Sequence, residues 1–325
     1  MMRKAVVTGG GGFIGSNLVK TLLNSGWSVH VIDDFSVGKK ANLPKQNKRL
    51  RITVRDIRDA RAMQHLLKNS EIVFHLATQC VRKSIHDPYL VHSVNTEGTL
   101  SVLEASRINR VHKVLYCSSS EIYGTARTAP MSETHPKNPM TMYAASKLAG
   151  EYYSLSYLRT YGLNVVIARP FNTYGYNEHF EGIYGEVIPR FVVRTRNNLP
   201  LHIFGDGEQT RDFTFVSDTV EGIISVSEKG KNGEVYNIAR GREVSITMLA
   251  QKILSVMKKN LPLRYLDERP GDVKRLFADT KKAKKELGFQ AKVSLDDGLR
   301  QYIDWLIRSN PDPRAALVYY EKKNW

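Results

Sequence analysis

Tyr143-Ala-Ala-Ser-Lys147 puts a phenol and an ammonium one helical turn apart. Residues four apart share a helix face, so these two side chains can meet. A phenol titrates at about 10 and is a poor base at neutral pH unless a nearby cation stabilises its phenolate. Lys147 is the cation placed to do so. On its own this spacing is common by chance and reads as a surface pair. The context differs: the apolar run KVLYCSS (113–119) reads as a strand and ends in Ser118-Ser119-Ser120-Glu121. Hydroxyls and a carboxylate at the carboxyl end of a parallel strand lie in the crevice where open α/β sheets bind ligands.

A second chemical element lies at the start. Thr8-Gly-Gly-Gly-Gly-Phe-Ile-Gly15 follows the apolar run KAVVT (4–8) and opens a segment with Ile14, Leu18, Leu22 and Leu23 at helical spacing. Glycines such as Gly9, Gly12 and Gly15 allow a tight turn and close backbone approach to a pyrophosphate, and the helix N-terminus offers free N–H groups to its charge. A glycine-rich turn alone is weak evidence. The next strand, WSVHVID (27–33), ends in Asp33-Asp34. A carboxylate there hydrogen-bonds both ribose hydroxyls of adenosine and repels a 2′-phosphate, which favours NAD over NADP. Asp56 and Ile57, after the third strand, are placed to flank the adenine, although Asp56 also reads as a plain loop carboxylate.

Elements that position these residues are set by the hydrophobic pattern. RITVRDI (51–57), EIVFHLA (71–77) and LNVVIARP (163–170) read as further strands with helical patterns between them, including one near 143–161. Strands alternating with helices predict an α/β fold, a Rossmann doubly wound parallel sheet. A smaller C-terminal α/β substrate domain is expected beside it. The NAD-binding domain is expected over 1–171, with 212–239 returning to it, and the substrate domain over 172–211 and 240–325. Residues 172–186 read as an irregular substrate-facing loop.

Composition narrows the function classes. With 42% hydrophobic and 25% charged residues in 325, the chain is an ordinary globular protein rather than a disordered one. Cys80 and Cys117 make neither a disulfide framework nor a zinc spacing, so no metal is expected and a reducing, cytoplasmic setting fits. No stretch is apolar for long enough to serve as a signal peptide or a membrane span. The formal net charge of +16 raises nucleic-acid binding. No nucleic-acid motif accompanies it, and Lys281, Lys282, Lys284 and Lys285 read as the solvated face of a helix. Attraction of an anionic substrate is the milder reading.

Taken in order, the motifs resemble those of an extended short-chain dehydrogenase/reductase of the nucleotide-sugar epimerase/dehydratase family, in a form like the UDP-glucose 4-epimerases. The residues that carry the resemblance are TGGGGFIG (8–15), VIDDFSVGKKANL (31–43), HLAT (75–78), CSSSEIYG (117–124), YAASK (143–147), RPFNTYG (169–175), VIPRF (187–191), IFGDGEQTRDFTFVSD (203–218) and RPGDV (269–273). The resemblance implies that Tyr143 takes a proton from the sugar 4-hydroxyl while a hydride passes from C4 to NAD. It implies that Lys147 tunes Tyr143 and holds the nicotinamide ribose, and that Ser119 bonds the same sugar hydroxyl. Phe13, Ile14, Ser36, Gly38, Lys39, Leu76, Ala77, Thr78 and Pro170 fall in motifs that line the cofactor. Asn172, Arg211, Arg269 and Asp272 align with residues that hold the diphosphate and nucleotide, and Val187, Ile188, His202 and Phe204 with residues around the base. Core packing is the competing reading for Val187, Ile188 and Phe204, and it is the expected one for Tyr123 and Phe171.

Members of this family share a transient 4-keto sugar and differ in how they consume it. An epimerase, an isomerase of carbohydrate biosynthesis, needs little beyond Ser119, Tyr143 and Lys147. A dehydratase or decarboxylase, both lyases, needs a further group acting at C5. The strand end Ser119-Ser120-Glu121 lacks the aspartate that the dTDP-glucose dehydratases carry at the middle position. That counts against a dTDP-glucose-type dehydratase, while Ser-Ser-Glu is close to the Thr-Ser-Glu of the decarboxylases and GDP-mannose dehydratases. A 4-epimerase of a UDP-sugar is the leading expectation; a dehydratase or a UDP-glucuronate decarboxylase using Glu121 is the alternative, and a non-catalytic NAD(P)-binding regulator the distant one. His179 and two glutamates in 176–184 mark the expected specificity loop. The resemblance also implies a homodimer built on the helices near 90–106 and 143–160, and it leaves the sugar and the nucleotide open.

Overall fold

Val6 and Val7 lie in a strand, β1 (Lys4–Thr8), that is buried from Ala5 onward. β-Branched residues suit the extended backbone, and a strand covered on both faces reads as a continuous apolar run. The glycine turn leads into α1 (Phe13–Asn24), which buries Leu18, Val19, Leu22 and Leu23. After it come β2 (Ser28–Asp33), β3 (Leu50–Val54), α2 (Ala60–Leu66), β4 (Ile72–His75), α3 (Val81–His86), α4 (Pro88–His92), α5 (Gly98–Ile108), β5 (Lys113–Cys117), α6 (Met142–Tyr161) and β6 (Val165–Pro170). The computed structural model describes residues 3–181, 185–269, 271–310, 312–315 and 317. Met1 and Met2, residues 182–184 of the expected specificity loop, Pro270 of the RPGDV motif and the chain end from 318 lie outside them.

The second half adds β7 (Thr173–Tyr174), α7 (Val187–Arg196), β8 (Leu201–Phe204), β9 (Thr210–Arg211), β10 (Thr214–Phe215), α8 (Val216–Lys229), β11 (Val235–Ile238), β12 (Val244–Ser245), α9 (Ile246–Val256), β13 (Leu263–Leu266) and α10 (Leu295–Ser309). Seven strands form the main sheet in the order β11-β6-β5-β4-β1-β2-β3, and every pairing in it is parallel. The doubly wound sheet is the one that the alternation predicts. Strand order reverses between β1 and β4, and that switch point opens a crevice at the carboxyl ends.

Three strands stop earlier than the apolar runs suggest, at Val54, His75 and Cys117. Arg55–Ile57, Leu76–Thr78 and Ser118–Ser119 thus leave the ladder and form the rim of the crevice. Residues 172–186 are not wholly irregular, because β7 pairs in parallel with β10. Lys282 is not on a solvated face: its ammonium bonds Glu234 Oε2 at 2.6 Å and the Val235 carbonyl at 2.7 Å.

Among the described residues, Val6, Ile32, Val73 and Val114 of the sheet pack with Met63, Val102 and Leu103 of α2 and α5 on one face. Val216, Val220, Ile223 and Val226 of α8 share one core with β1 and α1. Ile188, Phe191, Ile203, Leu249, Ile253, Leu299 and Ile303 make another from α7, β8, α9 and α10, where β8 and β13 form a two-stranded parallel sheet. Tyr123 and Phe171 are buried in a smaller cluster with Met131, Val273 and Leu276.

Candidate active site

A cavity of about 600 Å³ runs from the glycine turn, past the ends of β4 and β5, to α7 and β8. At one end Gly9 has φ +70°, and a Cβ there would stand 2.6 Å from the Ala77 nitrogen. A Cβ on Gly15 would stand 2.1 Å from the Gly9 carbonyl oxygen. Both positions exclude any other residue, so the turn keeps its backbone N–H groups at the start of α1. Asp33 is buried and accepts hydrogen bonds from the Gly11 and Phe35 N–H groups, both at 2.8 Å. Burial pushes its carboxyl above the usual range, and those two bonds pull it back. Asp34 accepts from the Ser36 N–H at 2.9 Å and hydroxyl at 2.7 Å. Asp56 is lowered chiefly by its hydrogen bonds from the Arg58 side chain, the closest at 2.5 Å.

Midway along the cavity, the Thr141 hydroxyl accepts from the Ala144 N–H and caps α6, which sets Tyr143 in the first turn. Tyr143 lines the cavity with Ser119; burial raises its pKa, and the Ser119 hydroxyl opposes the rise. Lys147 is buried, and burial lowers its ammonium to about 8. Ser119 also accepts from the Glu121 N–H at 3.2 Å. Half-buried Glu121 has its carboxyl pushed up by burial, with Arg211 acting against that and Asp272 with it.

At the far end Arg211 donates to Asp272 Oδ1 at 2.6 Å. The Arg269 guanidinium sits 4.2 Å from the Phe204 ring centroid. Burial, and then Arg82, lower Arg269 to about 9. Burial and Arg194 hold His202 at about 4, so its imidazole is neutral and its Nε2 faces Arg194 Nη2 at 2.9 Å. Cationic groups crowded in this way favour an anionic ligand.

The crevice brings together every residue expected from the sequence except Lys39. Gly9, Gly12, Phe13, Ile14, Gly15, Asp33, Asp34, Ser36, Gly38, Asp56, Ile57, Leu76, Ala77, Thr78 and Pro170 line one part. Ser119, Glu121, Tyr143, Lys147, Asn172, Val187, Ile188, His202, Phe204, Arg211, Arg269 and Asp272 line the rest. Lys39 uses its backbone N–H on the Gly11 carbonyl at 3.0 Å, while its ammonium turns outward to Glu181 at 2.7 Å. Of the expected specificity loop, Glu178 and His179 line the cavity and Glu181 does not.

Arg82 and Glu186 were not expected. Buried Arg82, on α3, pairs through both terminal nitrogens with the carboxylate of Glu186, which precedes α7. The pair joins the two walls of the cavity. An arginine inside an otherwise ordinary VRKS run was the only signal, and no spacing rule links positions 82 and 186. Among the described residues that line the cavity, Gln79 Oε1, Ser118 Oγ, Asn172 Oδ1 and Gln209 Oε1 are buried without a hydrogen-bond partner. Buried polar atoms ordinarily have partners, so these fit a polar ligand.

The family model described as GDP-mannose 4,6 dehydratase matches residues 6–302. The UDP-glucose 4-epimerase of Mycolicibacterium smegmatis is 34% identical over 307 residues, 93% of this chain and 98% of that protein. Among solved structures, the UDP-N-acetylglucosamine 4-epimerase of Methanobrevibacter ruminantium M1, in complex with UDP-N-acetylmuramic acid, superposes with a TM-score of 0.90 at 34% identity, covering 95% of this chain and 99% of that one. The dTDP-glucose 4,6-dehydratase DesIV of Streptomyces venezuelae, with NAD bound, also gives 0.90, at 32% identity and 95% and 98% coverage.

Proposed function

The chain belongs to the extended short-chain dehydrogenase/reductase family of nucleotide-sugar epimerases and dehydratases, and we propose that it is an NAD-dependent 4-epimerase of a UDP-sugar. The glycine turn and Asp33 suit NAD: a Cβ on Gly12 would meet only the Gly9 oxygen, at 3.2 Å, before the cavity, which leaves room for a pyrophosphate. NAD, when bound, supplies a reversible hydride acceptor at the sugar carbon. Tyr143 takes the proton of the sugar 4-hydroxyl, Ser119 shares that hydroxyl, and the charge of Lys147 stabilises the phenolate. Arg211 and Arg269 pair with the diphosphate, for which guanidinium geometry is suited. Val187, Ile188 and Phe204 give the base apolar walls, with His202 at its edge.

The observation that carries the epimerase reading is the strand end itself. Ser119 and Tyr143 line the same cavity, and Ser120 stands where the dTDP-glucose dehydratases keep an acid for the leaving hydroxyl. Glu121 supports the second reading, a dehydratase or decarboxylase, because its carboxyl lines the cavity two residues after Ser119 and burial raises its pKa.

Solvent isotope decides between them. A 4-epimerase leaves the C5–H bond intact, so product formed in deuterated water carries no deuterium at C5 and keeps the substrate's mass. Glu121→Gln then weakens binding but preserves turnover. Deuterium at C5, with turnover of Glu121→Gln down by on the order of 10²–10⁴-fold, would replace the epimerase with the lyase.

The same proposal divides the chain into an NAD domain, 1–171 with 212–239, and a nucleotide-sugar domain, 172–211 and 240–325. It is supported by the core that α8 shares with β1 and by β11 at the sheet edge. A cytoplasmic homodimer completes it. Leu100 and Ile108 on α5 and Tyr152 and Tyr161 on α6 are exposed, an apolar surface of the kind that pairs with a second copy. Among the described residues no helix is long and apolar enough to cross a membrane, and both cysteines are unpaired, which suits a reducing compartment.

A further inference from the structure

Lys147 carries a charge in a buried place, and a buried ammonium needs compensation. Among the described residues no carboxylate lies within ion-pair distance of its nitrogen. Glu151, one turn further along α6, is held by Arg169 through two bonds of 2.7 and 2.6 Å. What lies against the ammonium is an aromatic face: Nζ sits 4.7 Å from the ring centroid of Tyr116.

Tyr116 stands on β5, is 1% exposed, and meets α6 at two points. Its hydroxyl donates to the Lys147 carbonyl oxygen at 3.1 Å. A Cβ on Gly150 would come within 2.2 Å of that hydroxyl, so the helix lies directly on the ring edge. The His75 ring backs it at 5.7 Å between centroids.

We propose that Tyr116 is a positioning residue for Lys147, its ring face holding the ammonium against β5. The choice of an aromatic face over a carboxylate has a physical consequence. An aspartate here would neutralise the lysine and occupy its N–H donors. A ring quadrupole favours the cation while leaving the donors to ribose and phenol. The charge that stabilises the Tyr143 phenolate is thereby kept.

Several ionisable groups face Lys147. On β5 is the Cys117 thiol, raised by burial; on α6 are Tyr143 and the arginine-bound Glu151; on β4 is His75, which burial and then the charge of Lys147 hold neutral at about 3. Tyr116 itself is raised well above its ordinary range by burial and stays neutral. None of them supplies a negative charge free of another partner at neutral pH. The ring face is the contact left to test.

The inference rests on the roles of Tyr143 and Lys147 above, so its test reads the lysine directly. In NAD-loaded protein labelled at lysine ¹³Cε, Lys147 is the resonance that is lost in Lys147→Met, and its titration midpoint is followed. Tyr116→Leu lowers that midpoint by about 0.5–1 unit; Tyr116→Phe, which keeps the ring, does not move it. The alkaline limb of turnover moves the same way, because activity needs the protonated lysine and is lost as pH rises through its pKa. If the leucine variant fails to fold, fluorinated phenylalanines at 116 weaken the ring face at constant shape, and the midpoint falls with each added fluorine. A midpoint that stays level across the fluorinated series, or that moves equally in Tyr116→Phe and Tyr116→Leu, overturns the proposal. A shifted midpoint in a protein that turns over no UDP-sugar would leave the ring's role intact and overturn the functional reading instead.

Discussion

The two ends of the cavity are built by different means. Around the glycine turn the walls are backbone: Gly9, Gly15 and Gly38 bring main chain to main chain, and Asp33 uses its carboxylate to hold two N–H groups of that same region. At the far end the walls are long side chains, Arg211 on Asp272 and Arg269 on Phe204, carried by two- and four-residue strands and loops. A backbone site tolerates few residue types and barely changes shape. A site made of arginine side chains can be re-aimed by changing a few positions, and it is where a shared scaffold can choose its substrate.

The largest effect should fall on neither end but on the tie behind α6, the helix that carries Tyr143 and Lys147. The side chains of Arg169 and Glu151 are 1% and 3% exposed and pair at 2.6 Å; Arg169 also donates to the Tyr123 hydroxyl at 2.6 Å. Glu151→Ala leaves an arginine buried without its counter-charge, at a cost of about 3–5 kcal/mol in urea unfolding. An effect under about 1 kcal/mol would mean that water reaches the guanidinium.

Chemistry at the middle comes next. Tyr143→Phe keeps the ring and removes the hydroxyl, so turnover should fall by about 10²-fold or more. NAD affinity, measured by calorimetry, should stay close to that of the parent. Near-normal turnover would remove this helix from the mechanism and leave the cavity a binding site only.

At the backbone-built end, Asp33→Ala should weaken NAD by on the order of 1.5–3 kcal/mol, the usual worth of a hydrogen bond to a charged group. Discrimination against NADP should narrow at the same time. Tighter binding of NADP than NAD by the parent protein would contradict the role given to Asp33.

The smallest effect sharpens the contrast. Lys39 and Glu181 are 46% and 39% exposed, so their ion pair is worth no more than about 1 kcal/mol. Lys39→Ala should therefore change NAD affinity by less than about fivefold. A loss as large as that of Asp33→Ala would place Lys39 on the cofactor after all.

From the sequence alone, the parallel sheet, the glycine turn, Asp33 and the Tyr143–Lys147 spacing were all legible. Each is a local signal: a β-branched run, a turn that excludes a Cβ, a carboxylate at a strand end, two residues sharing one helix face. Resemblance of motifs added Arg211, Arg269 and Asp272, which no periodicity could place in one cavity. Tertiary structure alone decided the rest. It turned Lys39 away because its backbone, not its ammonium, closes on Gly11. It joined Arg82 to Glu186 across more than a hundred residues, and it laid the ring of Tyr116 beneath Lys147. Those contacts depend on how β4, β5, α6 and α7 pack, and a long side chain's partner is chosen by that packing rather than by its neighbours in the chain.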